Sequence, residues 1–134
     1  MKRLFLFLTI ATLMASCTIE DHSNVKTVSL SVAPNNWTRY SGDGGLNSYY
    51  SCAFNMPEIT PYVYASGQVL VYADLDGALA PLPYVRHFEQ SNGYTWTKTI
   101  DYEYSEGTIT VFVTRSDFIQ EAPGTMYFKA VISW

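Results

Sequence analysis

Two acidic side chains lie two residues apart in a long β-prone segment. If residues 94–104 form a strand, Asp101 and Glu103 share one face, with their Cα atoms roughly 6.6 Å apart at about 3.3 Å per residue. Paired carboxylates can act as acid and base, or as acid and nucleophile, in glycoside hydrolysis. That chemistry also needs a cleft that raises the pKa of one carboxyl group, whereas the alternation directs both side chains to solvent. A hydrolase acting on envelope glycans is therefore the least supported of the three functional hypotheses that this sequence suggests.

Nucleophilic catalysis finds little support in the sequence. His87 is the one histidine of the globular part, because His22 lies near the N-terminus, and no G-x-S-x-G motif places a serine beside it. We expect His87 to be an ordinary strand residue. Cys52 alternates in phase with Tyr50 and Phe54, which indicates a small buried side chain. The prediction is a protein without enzymatic activity and with no catalytic residues.

Metal binding is also not expected. Asp74 and Asp76 precede Gly77 as oxygen ligands do at the start of a calcium loop, but the third ligand and the distant bidentate Glu are missing. A turn is the expected structure there. Asp43 could likewise donate an oxygen to an ion, but it stands among glycines, which usually provide backbone freedom. We predict no metal and no cofactor.

Aromatic side chains give the best indication of binding. Trp37, Tyr40 and Tyr49 flank the glycine-rich segment 41–47. If two of these rings line one surface, they form a platform on which the C–H faces of a sugar can stack. The alternative is that they fill the core, as most aromatic residues of a small sandwich do. Trp134 is a further candidate with the same alternative.

The N-terminus has the three regions of a secretory signal. Lys2 and Arg3 precede an apolar run over residues 4–14, and small residues follow directly before Cys17. The run is too short for a membrane span, which needs about 20 apolar residues. Residues 13–17 resemble the lipobox of bacterial lipoproteins, which implies cleavage before Cys17 and a lipid on its sulfur. Since each buried methylene contributes about 0.8 kcal/mol, two or three acyl chains would hold the protein at a membrane.

The residues after Cys17 bear on location. Thr18 in place of Asp implies the outer membrane by the enterobacterial sorting pattern. Glu20 and Asp21 are similar to the short export signal of surface-exposed lipoproteins in the Bacteroidota, although a solvated tether has the same composition. We expect a signal peptide over 1–16, a lipidated Cys17 with a flexible tether over 17–25, and a globular domain over 26–134. Whether that domain faces the periplasm or the cell surface stays open.

Length and charge limit the function classes. The 134 residues suit one domain, and 48% apolar residues suffice for a packed core. Without Lys2 and Arg3, the chain has six basic and twelve acidic side chains, which gives a net charge of -6. Nucleic acid needs clustered basic side chains, whereas here they are scattered singly. The six are Lys26, Arg39, Arg86, Lys98, Arg115 and Lys129.

Period-two alternation of apolar side chains dominates the globular part and predicts an all-β fold. Asn92-Gly93 between β-prone runs predicts a hairpin, and Thr60-Pro61 with Gly67 predicts a short helical turn over 61–66. Seven or eight antiparallel strands in a two-sheet, immunoglobulin-like β-sandwich are expected, with a small closed barrel as the alternative. The predicted strands cover about 28–32, 48–56, 69–73, 79–82, 84–89, 94–104, 108–114 and 126–133.

The whole pattern of lipobox, short acidic tether and Tyr-rich β-domain resembles the small lipoproteins of gut Bacteroidota. This resemblance covers the full length and carries no catalytic residues with it. The leading hypothesis is a lipid-anchored, non-enzymatic module that binds a glycan or a protein partner. The second is a structural or assembly subunit that lends or accepts a strand at a sheet edge.

Overall fold

The structure, a computed structural model, describes residues 24–134. The predicted signal peptide, Cys17 and most of the predicted tether lie outside these residues. The described part contains nine strands and one α-helix, α1, over Pro61–Ser66. The strands are β1 Val25–Val32, β2 Thr38–Tyr40, β3 Tyr49–Asn55, β4 Gln68–Leu75, β5 Ala78–Pro81, β6 Tyr84–Glu89, β7 Thr95–Ser105, β8 Thr108–Arg115 and β9 Met126–Ser133.

The strands form two antiparallel sheets, which confirms the predicted all-β two-sheet sandwich. One sheet has the order β1-β9-β4-β5 and the other β2-β3-β8-β7-β6. The first strand pairs with the last, from Val25 opposite Ser133 to Val32 opposite Met126. In the immunoglobulin constant-type order the first strand instead pairs with the second. The sequence predicted one or two strands fewer, because β2 has only three residues and gives no periodic signal.

Alternate residues of each sheet meet in the core. On β4, Val69, Val71 and Ala73 are buried, while Leu70 between them is 37% exposed. The apolar run over 69–73 predicts a strand covered on both sides, and this is wrong: β4 is internal within its sheet, but only one face of it is buried. Across the core, Tyr102 on β7 donates its hydroxyl hydrogen to the carbonyl oxygen of Val69 at 2.8 Å, which ties the two sheets together.

Helix α1 has the predicted bounds and the predicted ends. Thr60 Oγ1 accepts a hydrogen bond from the backbone N–H of Val63 at 3.2 Å, with Pro61 at the first helical position. Gly67 ends the helix and donates its N–H to the carbonyl oxygen of Val63 at 2.7 Å. Val63 is buried and docks the helix on the core.

The predicted hairpin between β6 and β7 is also present. Gly93 has a φ of 81°, and Asn92 Oδ1 accepts a hydrogen bond from the N–H of Tyr94 at 2.9 Å. Strand β7 is the longest of the described strands and pairs with β6 on one side and β8 on the other. The segment 116–125 connects β8 to β9, and Ser116 bonds back to Thr97 on β7 through its N–H and its Oγ.

Candidate functional site

The structure brings Tyr40 and Tyr49 together on the outer face of the five-stranded sheet. They are cross-strand partners on β2 and β3, and their rings stack with centroids 4.9 Å apart and planes 18° apart. Tyr49 also meets the ring of Phe112 on β8 edge-to-face at 5.5 Å. Tyr40 is 52% exposed, whereas Tyr49 and Phe112 are half-buried. We call these three residues the tyrosine surface.

Trp37 does not share this surface. It is 8% exposed, belongs to the core, and donates its indole N–H to the carbonyl oxygen of Gly124 at 3.2 Å. A buried indole cannot offer a ring face to a ligand, so Trp37 takes the alternative role that the sequence left open. Trp134 lies at the end of β9 in the other sheet, where its backbone pairs with that of Asn24.

Phe112 was not among the residues predicted from sequence. Its neighbours Val111 and Val113 are buried, so the alternation of β8 turns Phe112 to the outer face. The outward direction of Phe112 can therefore be predicted from the sequence. Its position next to Tyr49 cannot, because the pairing of β3 with β8 joins segments far apart in the chain.

A groove of about 350 Å³ runs beside the tyrosine surface between Tyr49, Phe112 and the two carboxylates of β7. Glu103 is exposed as predicted. Asp101 was also expected in solvent, but it is half-buried, and its Oδ1 is buried with no hydrogen-bond partner among the described residues. Burial, and secondly the charge of Glu103, raise the pKa of Asp101. The groove therefore combines ring faces with carboxylate oxygens that can accept hydrogen bonds from hydroxyl groups.

The structure does not assemble a nucleophile and base. His87 is exposed on β6 and pairs with Thr97, four residues along β7 from Asp101, which corresponds to about 13 Å along a strand. Cys52 packs against the core, and burial raises the pKa of its thiol, which opposes the reactive thiolate form. Neither residue is in position to act with the carboxylates of the groove.

A second space, partly open to solvent, lies on the inner face of the same sheet. This inner cavity has a volume of about 180 Å³ and is bounded by Lys98 and Trp96 on β7, Arg115 on β8, and the connecting segment 118–124. Trp96 lies between the ring of Phe88, stacked at 4.3 Å, and the Arg115 guanidinium, whose Cζ is 3.7 Å from the indole centroid. Burial and the nearby charge of Arg115 lower the pKa of Lys98.

The acidic turns have structural partners. Asp74 Oδ1 accepts a hydrogen bond from the N–H of Gly77 at 2.8 Å, and Asp43 Oδ2 accepts one from Asn47 Nδ2 at 3.1 Å. Within residues 24–134 we find no group of three or more His, Cys, Asp or Glu side chains that could hold a metal ion. No helix of the described part has the length and apolar character needed to cross a membrane.

Comparison with known proteins gives no family, since no protein-family model, curated protein or solved structure matches this chain.

Proposed function

We propose that this protein is a lipid-anchored, non-enzymatic module of the cell envelope that binds a glycan through the tyrosine surface. The observation that carries the proposal is the stack of Tyr40 on Tyr49, continued by Phe112 and bordered by the carboxylates of Asp101 and Glu103. Ring faces beside hydrogen-bond acceptors suit a ligand that has both C–H faces and hydroxyl groups.

The tyrosine rings are held in place before a ligand arrives. Tyr49 is packed between Tyr40 and Phe112, and the backbone of Gly42 lies against the hydroxyl end of the Tyr40 ring. Rigid aromatic side chains lose little conformational entropy on binding, which favours their use in recognition. The acidic character of the surface favours a neutral glycan over a polyanion, because Asp101 and Glu103 would repel negative groups.

Anchoring rests on Cys17 and the lipobox around it. A lipid on this cysteine would place the domain at the outer membrane, facing the periplasm or the cell surface. Metabolic labelling with a fatty acid should therefore mark the wild-type chain and not the Cys17→Ser variant. A wild-type product that stays unlabelled and soluble without detergent would contradict the anchoring.

Glycan binding can be tested with the full-length protein, purified in detergent, on a broad glycan array. Tyr40→Ala should abolish the signal. Tyr127→Ala is the matched control, since Tyr127 is 58% exposed and lies on β9 of the other sheet. A wild-type protein that binds no glycan, or equal losses in both variants, would count against the proposal and favour a protein partner.

An assembly role is the second candidate, and one observation favours it. Within residues 24–134, strand β1 is an eight-residue edge of its sheet whose backbone is paired on one side only, by β9. Such an edge can accept a strand from a partner. If the protein assembles with itself through this edge, analytical ultracentrifugation of the full-length protein in detergent should show an oligomer. A strict monomer that still binds glycans would exclude self-assembly as the function.

A further inference from the structure

The inner cavity contains a lysine where the fold would ordinarily place an apolar residue. Lys98 lies on the inward face of β7, two residues from Ile100, which is 1% exposed. Lysine is among the residues least often buried unless its charge is paired, because removing an ammonium group from water costs free energy. A half-buried lysine in this position therefore needs an explanation.

The charges around Lys98 do not provide a direct partner. The ion pairs among residues 24–134 join Lys26 to Glu58 and Arg115 to Asp117 and Glu121, and none involves Lys98.

The two acids near the cavity belong to Arg115. Asp117 accepts two hydrogen bonds from the guanidinium, at 3.0 and 2.8 Å, and its side chain is 3% exposed. Glu121 accepts a third at 3.1 Å, but its side chain is 70% exposed, so water screens most of its charge. Arg115 is thus paired with both acids, whereas Lys98 is the cationic residue of the cavity wall that has no ion-pair partner among residues 24–134.

Lys98 also borders a second pocket, which contains two acids. Asp74 and Asp76 border a separate surface pocket that also includes Arg86 and Lys98. Asp74 is already the hydrogen-bond acceptor of its turn, and Arg86 offers these two carboxylates a competing cation. Neither acid forms an ion pair with Lys98 in the part of the chain that the structure describes.

We propose that the inner cavity binds a small monocarboxylate, whose carboxylate group is received by Lys98 Nζ. A single free ammonium group matches one negative charge, whereas a phosphate dianion would leave an uncompensated charge in a half-buried space. The ligand body would lie against Tyr50, Val113 and Phe118, which are apolar or aromatic walls of the same cavity.

The size of the cavity limits the ligand. A volume of about 180 Å³ is well below the roughly 300–1,000 Å³ of pockets for drug-sized molecules. The occupant is therefore a single small acid or the terminal acidic group of a larger molecule, with one ring or a short apolar chain behind the carboxylate.

A backbone outlier lies in the wall of this cavity. Phe118 has a φ of 53°, in the left-handed region that a bulky residue rarely adopts. Such conformations persist only where the surroundings fix them, and they concentrate at ligand clamps and active sites. Here the bonds of Ser116 to Thr97 fix the segment that presents Phe118 to the cavity.

The proposal is independent of the glycan surface, although Tyr49 borders both. The test uses the full-length protein in detergent, with lysines methylated by ¹³C-formaldehyde and observed by NMR. Lys→Arg variants at 26, 98 and 129 assign the signals. The probes are benzoate and glucuronate, with benzamide and glucose as matched neutral compounds.

We expect one or both carboxylates to shift the Lys98 signal saturably, with the Lys26 and Lys129 signals unmoved and the neutral compounds inactive. Lys98→Met should weaken carboxylate binding at least tenfold, while Lys129→Met, on the other sheet, should leave it unchanged. If Lys98→Met does not fold, the wild-type titration decides. The absence of a saturable Lys98 shift, equal binding of benzamide or glucose, or equally tight binding of inorganic phosphate would overturn the proposal.

Discussion

The guanidinium of Arg115 lies over the indole ring of Trp96, with its Cζ 3.7 Å from the ring centroid. Phe88 stacks on the other face of the same indole, so both faces of Trp96 are covered. Arg115 also binds Asp117 through two parallel hydrogen bonds, a geometry that only arginine provides. One side chain therefore joins the aromatic row of β6 and β7 to the segment that borders the inner cavity.

Replacing Arg115 by Met should destabilise the protein, because it leaves the buried Asp117 carboxylate without its cation. We expect a loss of about 3 kcal/mol in the free energy of unfolding at pH 7, measured by urea denaturation. Arg86→Met is the control, since Arg86 is exposed and, in the described part of the chain, its only aromatic partner is Phe88 at 5.5 Å. Equal losses in the two variants would show that the ion pair is not the cause.

The same variant predicts a pH dependence. The hydrogen bonds from Arg115 hold the pKa of Asp117 below its ordinary value. A carboxyl group with a lowered folded-state pKa contributes stability that is present above its unfolded pKa and is lost as the pH falls through the folded value. The stability difference between wild type and Arg115→Met should therefore shrink at acidic pH, and a constant difference would contradict this account.

Asp101 should act in the opposite direction. Burial, and then Glu103, raise the pKa of Asp101 in the folded state, so the folded protein binds more protons than the unfolded chain between the ordinary and the raised pKa. Stability then falls as the pH rises through that window. Asp101→Asn keeps the shape and removes the titration. Urea denaturation over a pH series should give a variant that gains stability relative to wild type as the pH rises, and parallel pH profiles would refute the assignment.

The position of the Tyr40 ring depends on a glycine. A Cβ added at Gly42 would lie 3.1 Å from Tyr40 Cε1 and 3.2 Å from its hydroxyl oxygen. Because the obstructed atoms are the exposed end of a side chain and not backbone, Gly42→Ala should displace the ring from its stack on Tyr49 at little cost in stability. Glycan affinity should fall several-fold with an unfolding midpoint close to wild type. Unchanged affinity would mean that the orientation of the Tyr40 ring does not matter for binding.

The sequence was sufficient to predict the described strands other than β2, but it was insufficient to predict which strands pair. Alternation predicted the two-sheet sandwich, and the end signals Thr60-Pro61 and Gly67 predicted the short helix, because these signals are local. The pairing of β1 with β9 and of β3 with β8 depends on distant residues, and the strand order was not predicted.

The candidate site shows the same division. Tyr40 and Tyr49 are near in sequence, so their common surface was a reasonable prediction. Trp37 is equally near, but its indole N–H finds the carbonyl oxygen of Gly124, which is 87 residues away. In the same way, no spacing indicates that the segment 116–125 borders the same cavity as Lys98. Local sequence patterns do not predict the surroundings of a side chain when distant segments of the chain form them.

The end of helix α1 is the most tightly packed glycine position of the described domain. A Cβ at Gly67 would lie 2.6 Å from the carbonyl oxygen of Ser133 on β9 and 2.8 Å from that of Val63. Both obstacles are backbone atoms, so neither can rotate away, and the helix end would have to separate from the sheet. Gly67→Ala should therefore lower the free energy of unfolding by about 2 kcal/mol, as other overpacked substitutions do.

Gly124→Ala is the matched control for this experiment. Gly124 has no atom within 4 Å of an added Cβ, and its φ does not lie in the left-handed region. The control should stay within about 0.5 kcal/mol of wild type in urea denaturation, because surface changes without a new clash are small and alanine restricts the unfolded chain slightly. If both variants unfold at the wild-type midpoint, the contact between α1 and β9 is not tight in solution. A selective loss in Gly67→Ala would show that α1 and β9 approach too closely at Gly67 and Ser133 to admit a Cβ.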